Sequence, residues 1–410
     1  MSATPRAIAF AAAMATLGLC AGAAAAASAS GVTLDWQQPW VQPRDALAAV
    51  TASDEFAWRL FVAVNWPADW NARAADVRVR LGTDRPTVWE TWENTADIFR
   101  NDGADPGPWR RRTSPPGAAD AARFETISLK DLPNLRHIVS GRMVPLVDAV
   151  SGARRLTEIR MNRPAFEYIR AHELYNLDGQ LKLLAQHRAV SFPAATTEVK
   201  AQWRPIGAAD KSRYHTVEVL QDDGTKRLYG LTALHLVTKD LPNWFWATFE
   251  HVDNPVLADT DGWLLPSSDR FACRGDRADC NRAPVGIGLE GGVWQFYRLR
   301  GSLTRYVDAA GRPLRLANSE LEAGLQETAS CITCHARASI GVVAGSAVRL
   351  PIFDTRAVSP ATDPALRIGF LGLPRAEWFT GEHGSAGPAA LFQPLDFVWS
   401  LAKAQPKRGS

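Results

Sequence analysis

The sequence predicts an α+β protein. A large portion of mixed helices and antiparallel strands, residues 30–315, precedes a C-terminal, mainly helical segment, residues 316–410. Three observations predict this. Apolar stripes at helical spacing alternate with strand-like runs joined by turn residues. No run shows the regular strand–helix–strand alternation of a parallel sheet. Fifteen Trp and 26 Pro in 410 residues favour a loop-rich fold over a helical bundle.

In chain order, DEFAWRLFVAVNWP (54–67) reads as a helix, with Phe56, Leu60, Phe61 and Val64 on one side and Pro67 as its stop. PTVWETWENTADIF (86–99) reads as a second helix, opened by Pro86 and carrying Val88, Trp92 and Phe99 on one side. Two extended runs between 144 and 161 flank Ser151-Gly152, which predicts a hairpin. Another hairpin joins RYHTVEVL (213–220) to KRLYGLTALHLVTK (226–239) through Asp222-Asp223-Gly224. NWFWATFEHV (243–252) and VWQFYRLRG (293–301) are rich in aromatic and β-branched residues and read as strands. GIGLEG (286–291) spells a dinucleotide fingerprint but leads into a strand, so it reads as a Gly-rich turn. In the last segment, Asn318 is placed to cap a helix with Glu320 and Glu322 in its first turn. Pro394 is placed to start a final helix containing Leu395, Val398, Trp399 and Leu401.

Residues 1–29 read as an export signal. Arg6 is followed by a small and apolar run from Ala7 to Ala27, and the ending AAAAASAS offers cleavage after Ala27 or Ala29. Leu19 before Cys20 disfavours a lipoprotein site. The expected location is the periplasm, with no membrane span in the mature chain. A formal charge of +3 without a basic run gives no footprint for nucleic acid.

Beyond the signal four cysteines remain: Cys273, Cys280, Cys331 and Cys334. The first two are expected to close a short polar loop as a disulfide in an oxidising compartment. The other two lie in CITCH (331–335), the c-type haem attachment spacing. Two thiols two residues apart reach the two vinyl groups of one macrocycle, and the histidine that follows supplies the proximal nitrogen to iron. The alternatives, a redox dithiol or half of a zinc site, want a βαβ context or a second Cys/His pair, and neither is present. Cys331, Cys334 and His335 are therefore the expected attachment residues for one covalent haem c and its iron.

No Met follows residue 161, so the methionine that many small cytochromes use as sixth ligand is excluded from the haem segment. His383, 48 residues after His335, stands near the usual position of that ligand. His251, flanked by Glu250, Asp253 and Asn254, is its rival, and an open sixth position is the third option.

The blocks WRLFVAVNWP, PTVWETW, EVKAQWRPI, WFWATFEHVDN, SCITCHARA and LDFVWSL together resemble a family of exported bacterial proteins known generically as cytochrome c family proteins. The resemblance runs from about residue 54 to 404 and implies that Cys331, Cys334 and His335 bind haem. It brings no defined substrate. The expected activity is one-electron transfer with an unidentified periplasmic redox partner. The alternative is a peroxidase- or oxidase-like haem enzyme, or a haem-based sensor or accessory subunit, with an open distal site.

Overall fold

The sheet forms where β-branched and aromatic residues alternate. The structure, a computed structural model, describes residues 34–111, 119–120, 124, 155–254, 267, 269–274, 280–322, 329–343, 345–350, 371–374, 379 and 392–409. Two helices come first, α1 (Ala46–Thr51) and α2 (Ser53–Val64). Asp45 caps α1 by accepting from the backbone N–H groups of Leu47 and Ala48. α2 follows the expected stripe and ends at Asn65, two residues before Pro67.

The strands of the main sheet are β1 (Leu156–Met161), β2 (Thr197–Pro205), β3 (Thr216–Leu220), β4 (Lys226–Thr238), β5 (Phe245–His251) and β6 (Tyr297–Leu303). β4 is the spine. β2 runs antiparallel along one side of it, while β3 pairs its first half and β5 its second half on the other. β1 extends the sheet beyond β2, and β6 extends it beyond β5. The β3–β4 hairpin forms as the sequence predicts, with Leu220 opposite Lys226 and Gly224 in the left-handed region at φ 80°.

Strand alternation gives the sheet two unlike faces. Val199, Ala201 and Trp203 of β2, Leu234 and Leu236 of β4, and Phe245, Ala247 and Phe249 of β5 share one core with α2. There Phe61 packs against Phe249 at 4.4 Å between ring centroids, with Trp58 and Trp294 edge-on. Each of these buried aromatics contributes on the order of 2–3 kcal/mol. The opposite face presents Met161, Val237 and Trp246, which join Ile332, Ile340, Leu395 and Leu401 in a second core. It also carries a polar strip. Glu250 accepts from Arg298, from Ser319 N–H and from the Ser319 hydroxyl, while Glu320 pairs with Arg155 and Arg204.

The α+β expectation is corrected by this architecture, which is mostly antiparallel sheet with few helices. The C-terminal segment is not mainly helical either. Its described part holds one helical turn, Cys331–His335, then β7 (Ser339–Val343), β8 (Ser346–Val348) and β9 (Phe392–Pro394). β7 and β8 form a hairpin, as the β-branched run in SIGVV favours, and β9 pairs the other edge of β7. Pro394 ends a strand rather than starting a helix. Asp396 and Phe397, at φ 49° and 68°, break any helix through Leu395, so only the 3₁₀ turn Trp399–Lys403 forms.

Further local readings also change. Residues 86–99 divide into the 3₁₀ turn Trp89–Thr91, the edge strand Glu93–Asn94 and the short helix Thr95–Ile98. Residues 293–296 are a 3₁₀ turn that leads into β6. The hairpin around Ser151-Gly152 lies outside the described residues, which begin again at 155. Two helices the sequence reading missed are Arg163–Ala171, capped by Asn162 with Pro164 in its first turn, and Leu177–Ala185, capped by Asn176. Described residues on both sides of 315/316 share the second core, where Met161 and Trp246 meet Ile332 and Leu401. Cys273 and Cys280 are joined as a disulfide with their Cα atoms 5.8 Å apart.

The C-terminal 3₁₀ turn meets the sheet through Ser400, whose hydroxyl lies 3.3 and 3.4 Å from the Glu198 carboxylate oxygens. Burial pushes the Glu198 carboxyl up to about 7 from its ordinary 4.5, with Ser400 and Lys200 opposing. Between these values the folded chain holds a proton that the unfolded chain has released. This contribution is complete below pH 4.5 and is lost as the pH rises through about 7. Glu198 alone should take roughly 2–3 kcal/mol from stability across that window, against the opposite slope of His251, which burial pushes down to about 4. Urea unfolding of wild type and Glu198→Gln at pH 5 and 7.5 isolates the Glu198 contribution as the difference between the two pH dependences. Asp269, pushed up to about 6 by burial, adds a smaller slope of the same sign that this substitution leaves in place.

Candidate haem-attachment site

The CITCH turn is held from three sides. Ile332 is fully buried in the second core. The Thr333 hydroxyl donates to the Gly372 carbonyl at 2.8 Å, and Trp399 Nε1 donates to the Cys334 carbonyl at 3.1 Å. In a helical turn, positions i, i+3 and i+4 share a face. Cys331, Cys334 and His335 occupy those positions and are partly exposed, whereas Ile332 and Thr333 between them are buried. The turn therefore presents its two thiols and its imidazole together on one side. Neither cysteine is in a disulfide.

The His335 ring is oriented by two contacts. Its Nδ1 lies 2.8 Å from the Phe397 carbonyl, which can only accept, so Nδ1 carries the proton and Nε2 keeps its lone pair. The Trp246 indole packs against the imidazole at 4.5 Å between centroids. Burial pushes the His335 imidazole down to about 4, despite the Phe397 carbonyl, and so holds it neutral at physiological pH. A neutral imidazole with a fixed Nδ1–H and an available Nε2 is the form that ligates metal.

The Phe397 carbonyl is itself fixed by its neighbour. Asp396 accepts from Phe192 N–H at 2.7 Å, from Lys239 Nζ at 2.5 Å and from Trp244 Nε1 at 3.2 Å. Its carboxylate thus anchors the left-handed Asp396–Phe397 bend to the sheet and to the strand entering β5.

The thiols bear on the alternative chemistries. Burial pushes the Cys334 thiol up to about 11 and the Cys331 thiol well above its ordinary value, with the Glu322 carboxylate acting in the same direction. A redox-active dithiol requires the opposite shift in its attacking cysteine. Among the described residues no group of three or more His, Cys, Asp or Glu side chains converges as a metal cluster, so zinc finds no ligand set there.

The residues present fit a covalent haem: two unbonded thiols at the right spacing on one face, and an imidazole on that face with Nε2 available. The other histidines read from sequence are not brought to this turn. His251 sits on the opposite face of β5 from Trp246, stacked on Tyr214 at 3.7 Å. Its Nε2 lies 3.0 Å from the Arg213 carbonyl and its Nδ1 accepts from Asp253 N–H at 3.1 Å, so both nitrogens are engaged. Burial pushes it down to about 4, and it is a neutral structural histidine rather than an iron ligand. The close stacking has a backbone cause, since a Cβ at Gly230 would come within 2.8 Å of the Tyr214 ring. His383 lies outside the described residues.

Sequence reasoning missed His235. It occurs in the middle of an apolar strand, in ALHLV, where nothing nearby marks it as functional. A separate cavity of about 460 Å³, lined in part by Arg85, Lys211, His215 and Trp294, adjoins neither Cys331 nor His335. Comparison of the chain with protein-family models, curated proteins and solved structures finds no match.

Proposed function

We propose that the protein is a periplasmic c-type cytochrome that carries one covalent haem and transfers single electrons to or from a redox partner protein. The observation that carries this reading is the single face of the 331–335 turn on which Cys331, Cys334 and His335 stand together, while Ile332 and Thr333 anchor the turn from the other side. Cys331 and Cys334 would hold the macrocycle through thioethers, each formed by adding S–H across a vinyl double bond with no leaving group. His335 would hold the iron through Nε2. When bound, the haem supplies an iron centre that cycles between ferric and ferrous states.

The chain's own residues then set the conditions of transfer. The Phe397 carbonyl holds the His335 proton on Nδ1 and raises the basicity of the ligating nitrogen. Trp246 shields one flank of the imidazole from water. Glu322 places negative charge near both cysteines, which favours the oxidised, more positive form of a centre held there. The apolar run ending in AAAAASAS supports export, and the oxidised Cys273–Cys280 pair suits the same compartment.

The test uses full-length protein, expressed with its leader in a host that matures c-type cytochromes. The denatured chain should keep the mass of one haem, and the native protein should show reversible ferric and ferrous spectra. Haem that separates from the wild-type chain on denaturation would refute the reading.

A further inference from the structure

We propose that His235 is the second axial ligand of the iron that His335 holds, an assignment that rests on the haem reading above. The argument starts from strand register. His235 on β4 lies opposite Lys200 of β2 and opposite Thr248 of β5. Side chains opposite one another in a sheet share a face, and so do those two residues apart along one strand. His235 therefore shares its face with Trp246, the residue whose indole touches the His335 ring.

The side chain has what a ligand needs. His235 is 9% exposed, and its Nε2 is buried without a hydrogen bond. The nearest partner is Glu322 Oε2, 3.3 Å away in an ion-pair contact and placed at the edge of the site by its bond from Asn318 N–H. A buried imidazole nitrogen left without a hydrogen bond is uncommon in a folded protein, and metal ligation is one of the roles that accounts for it. Here that nitrogen, with the Glu322 carboxylate 3.3 Å from it, stands on the face that receives the CITCH turn.

The other described histidines do not compete. Nε2 of His215 is taken by Glu90 at 2.9 Å, His172 bonds to the Tyr168 carbonyl on an outer helix, and His187 is exposed. His251 has both nitrogens engaged. Glu322 faces this same Nε2 of His235, so ligation requires its carboxylate to turn aside, where the Asn318 N–H already holds it. The assignment predicts a carrier with both axial positions filled by protein.

The experiment records spectra and carbon monoxide binding of the full-length haem protein. Wild type should be low-spin in both oxidation states and should not bind carbon monoxide. His235→Ala should become high-spin and bind carbon monoxide, and added imidazole should return it to low-spin. His235→Met, which fills the site with a thioether, should stay low-spin with a raised potential. The mass of the denatured chain separates two kinds of failure. If covalent haem is present in every variant but His235→Ala stays low-spin, His235 is not the ligand while the haem reading stands. A wild-type protein that is high-spin, or a loss of the low-spin form in His383→Ala instead, would likewise overturn the assignment. Absence of covalent haem from wild type would overturn the haem reading itself.

Discussion

Replacing both Cys331 and Cys334 by Ala should abolish covalent haem while leaving the polypeptide folded. The first half follows from chemistry, because no other cysteine can reach the same macrocycle. Cys273 and Cys280 are consumed by their own disulfide. The second half follows from where the turn is anchored. Ile332 and Thr333 hold it to the core, whereas the two thiols are only half-buried, Cys331 packing against the edge of the second core. Loss of two half-buried sulfurs should cost on the order of 1–2 kcal/mol, too little to unfold the chain. A single substitution leaves one thiol able to form one thioether, so each single variant should keep haem in reduced yield. Mass spectrometry of the denatured chains measures attachment, and far-UV circular dichroism measures the fold. Haem retained on the doubly substituted chain after denaturation would sink the attachment assignment.

The contrast between the thiols and the rest of the site shows what a linear sequence displays. The spacing of CITCH is a local chemical requirement, so it is legible in five letters. α2 is legible for the same reason, since its stripe of Phe56, Leu60, Phe61 and Val64 lies within three turns. The β3–β4 hairpin announces itself through Asp222-Asp223-Gly224, with Gly224 in the left-handed conformation that turn needs.

What stayed hidden depends on pairing across long separations. His235 is a functional candidate only because register puts it opposite Thr248 and so beside Trp246, a relation no window on β4 contains. His251 drew attention through its acidic neighbours. Strand parity turns it to the other face, where Arg213 and Asp253 use up its nitrogens. The C-terminal helix failed for a related reason. Pro394 and the apolar spacing after it fit a helix, but Asp396 is bound to Phe192, Lys239 and Trp244, between 152 and 204 residues away in sequence. Those contacts hold a left-handed bend that local propensity disfavours. The two missed helices, by contrast, carried readable signals in the caps Asn162 and Asn176.

Asp396→Ala should be among the most damaging single changes to the fold, and it should also alter the haem. The carboxylate is 8% exposed and serves three donors, one of them the ammonium of Lys239, which is 13% exposed. Removing one partner of a buried pair costs about 3–5 kcal/mol, because the other charge is left in a poorly solvated place. Alanine at φ 49° adds about 1 kcal/mol of backbone strain. Asp396→Asn should cost roughly half as much, since asparagine tolerates that conformation and can still accept from Phe192 and Trp244. Urea unfolding at pH 7 gives both numbers. The haem readout separates the bend's role at His335 from simple destabilisation. When the bend relaxes, the Phe397 carbonyl moves off Nδ1, the His335 nitrogen becomes a weaker donor to iron, and the reduction potential should rise. Lys403→Met tests this against a substitution in the following 3₁₀ turn. Burial pushes the Lys403 ammonium down to about 7, and it donates to Thr95 Oγ1 at 3.2 Å rather than to the Asp396 bend, so the change should leave the potential where it was. An Asp396→Ala protein that loses less than about 1 kcal/mol and keeps the wild-type potential would show that the bend is held by other contacts.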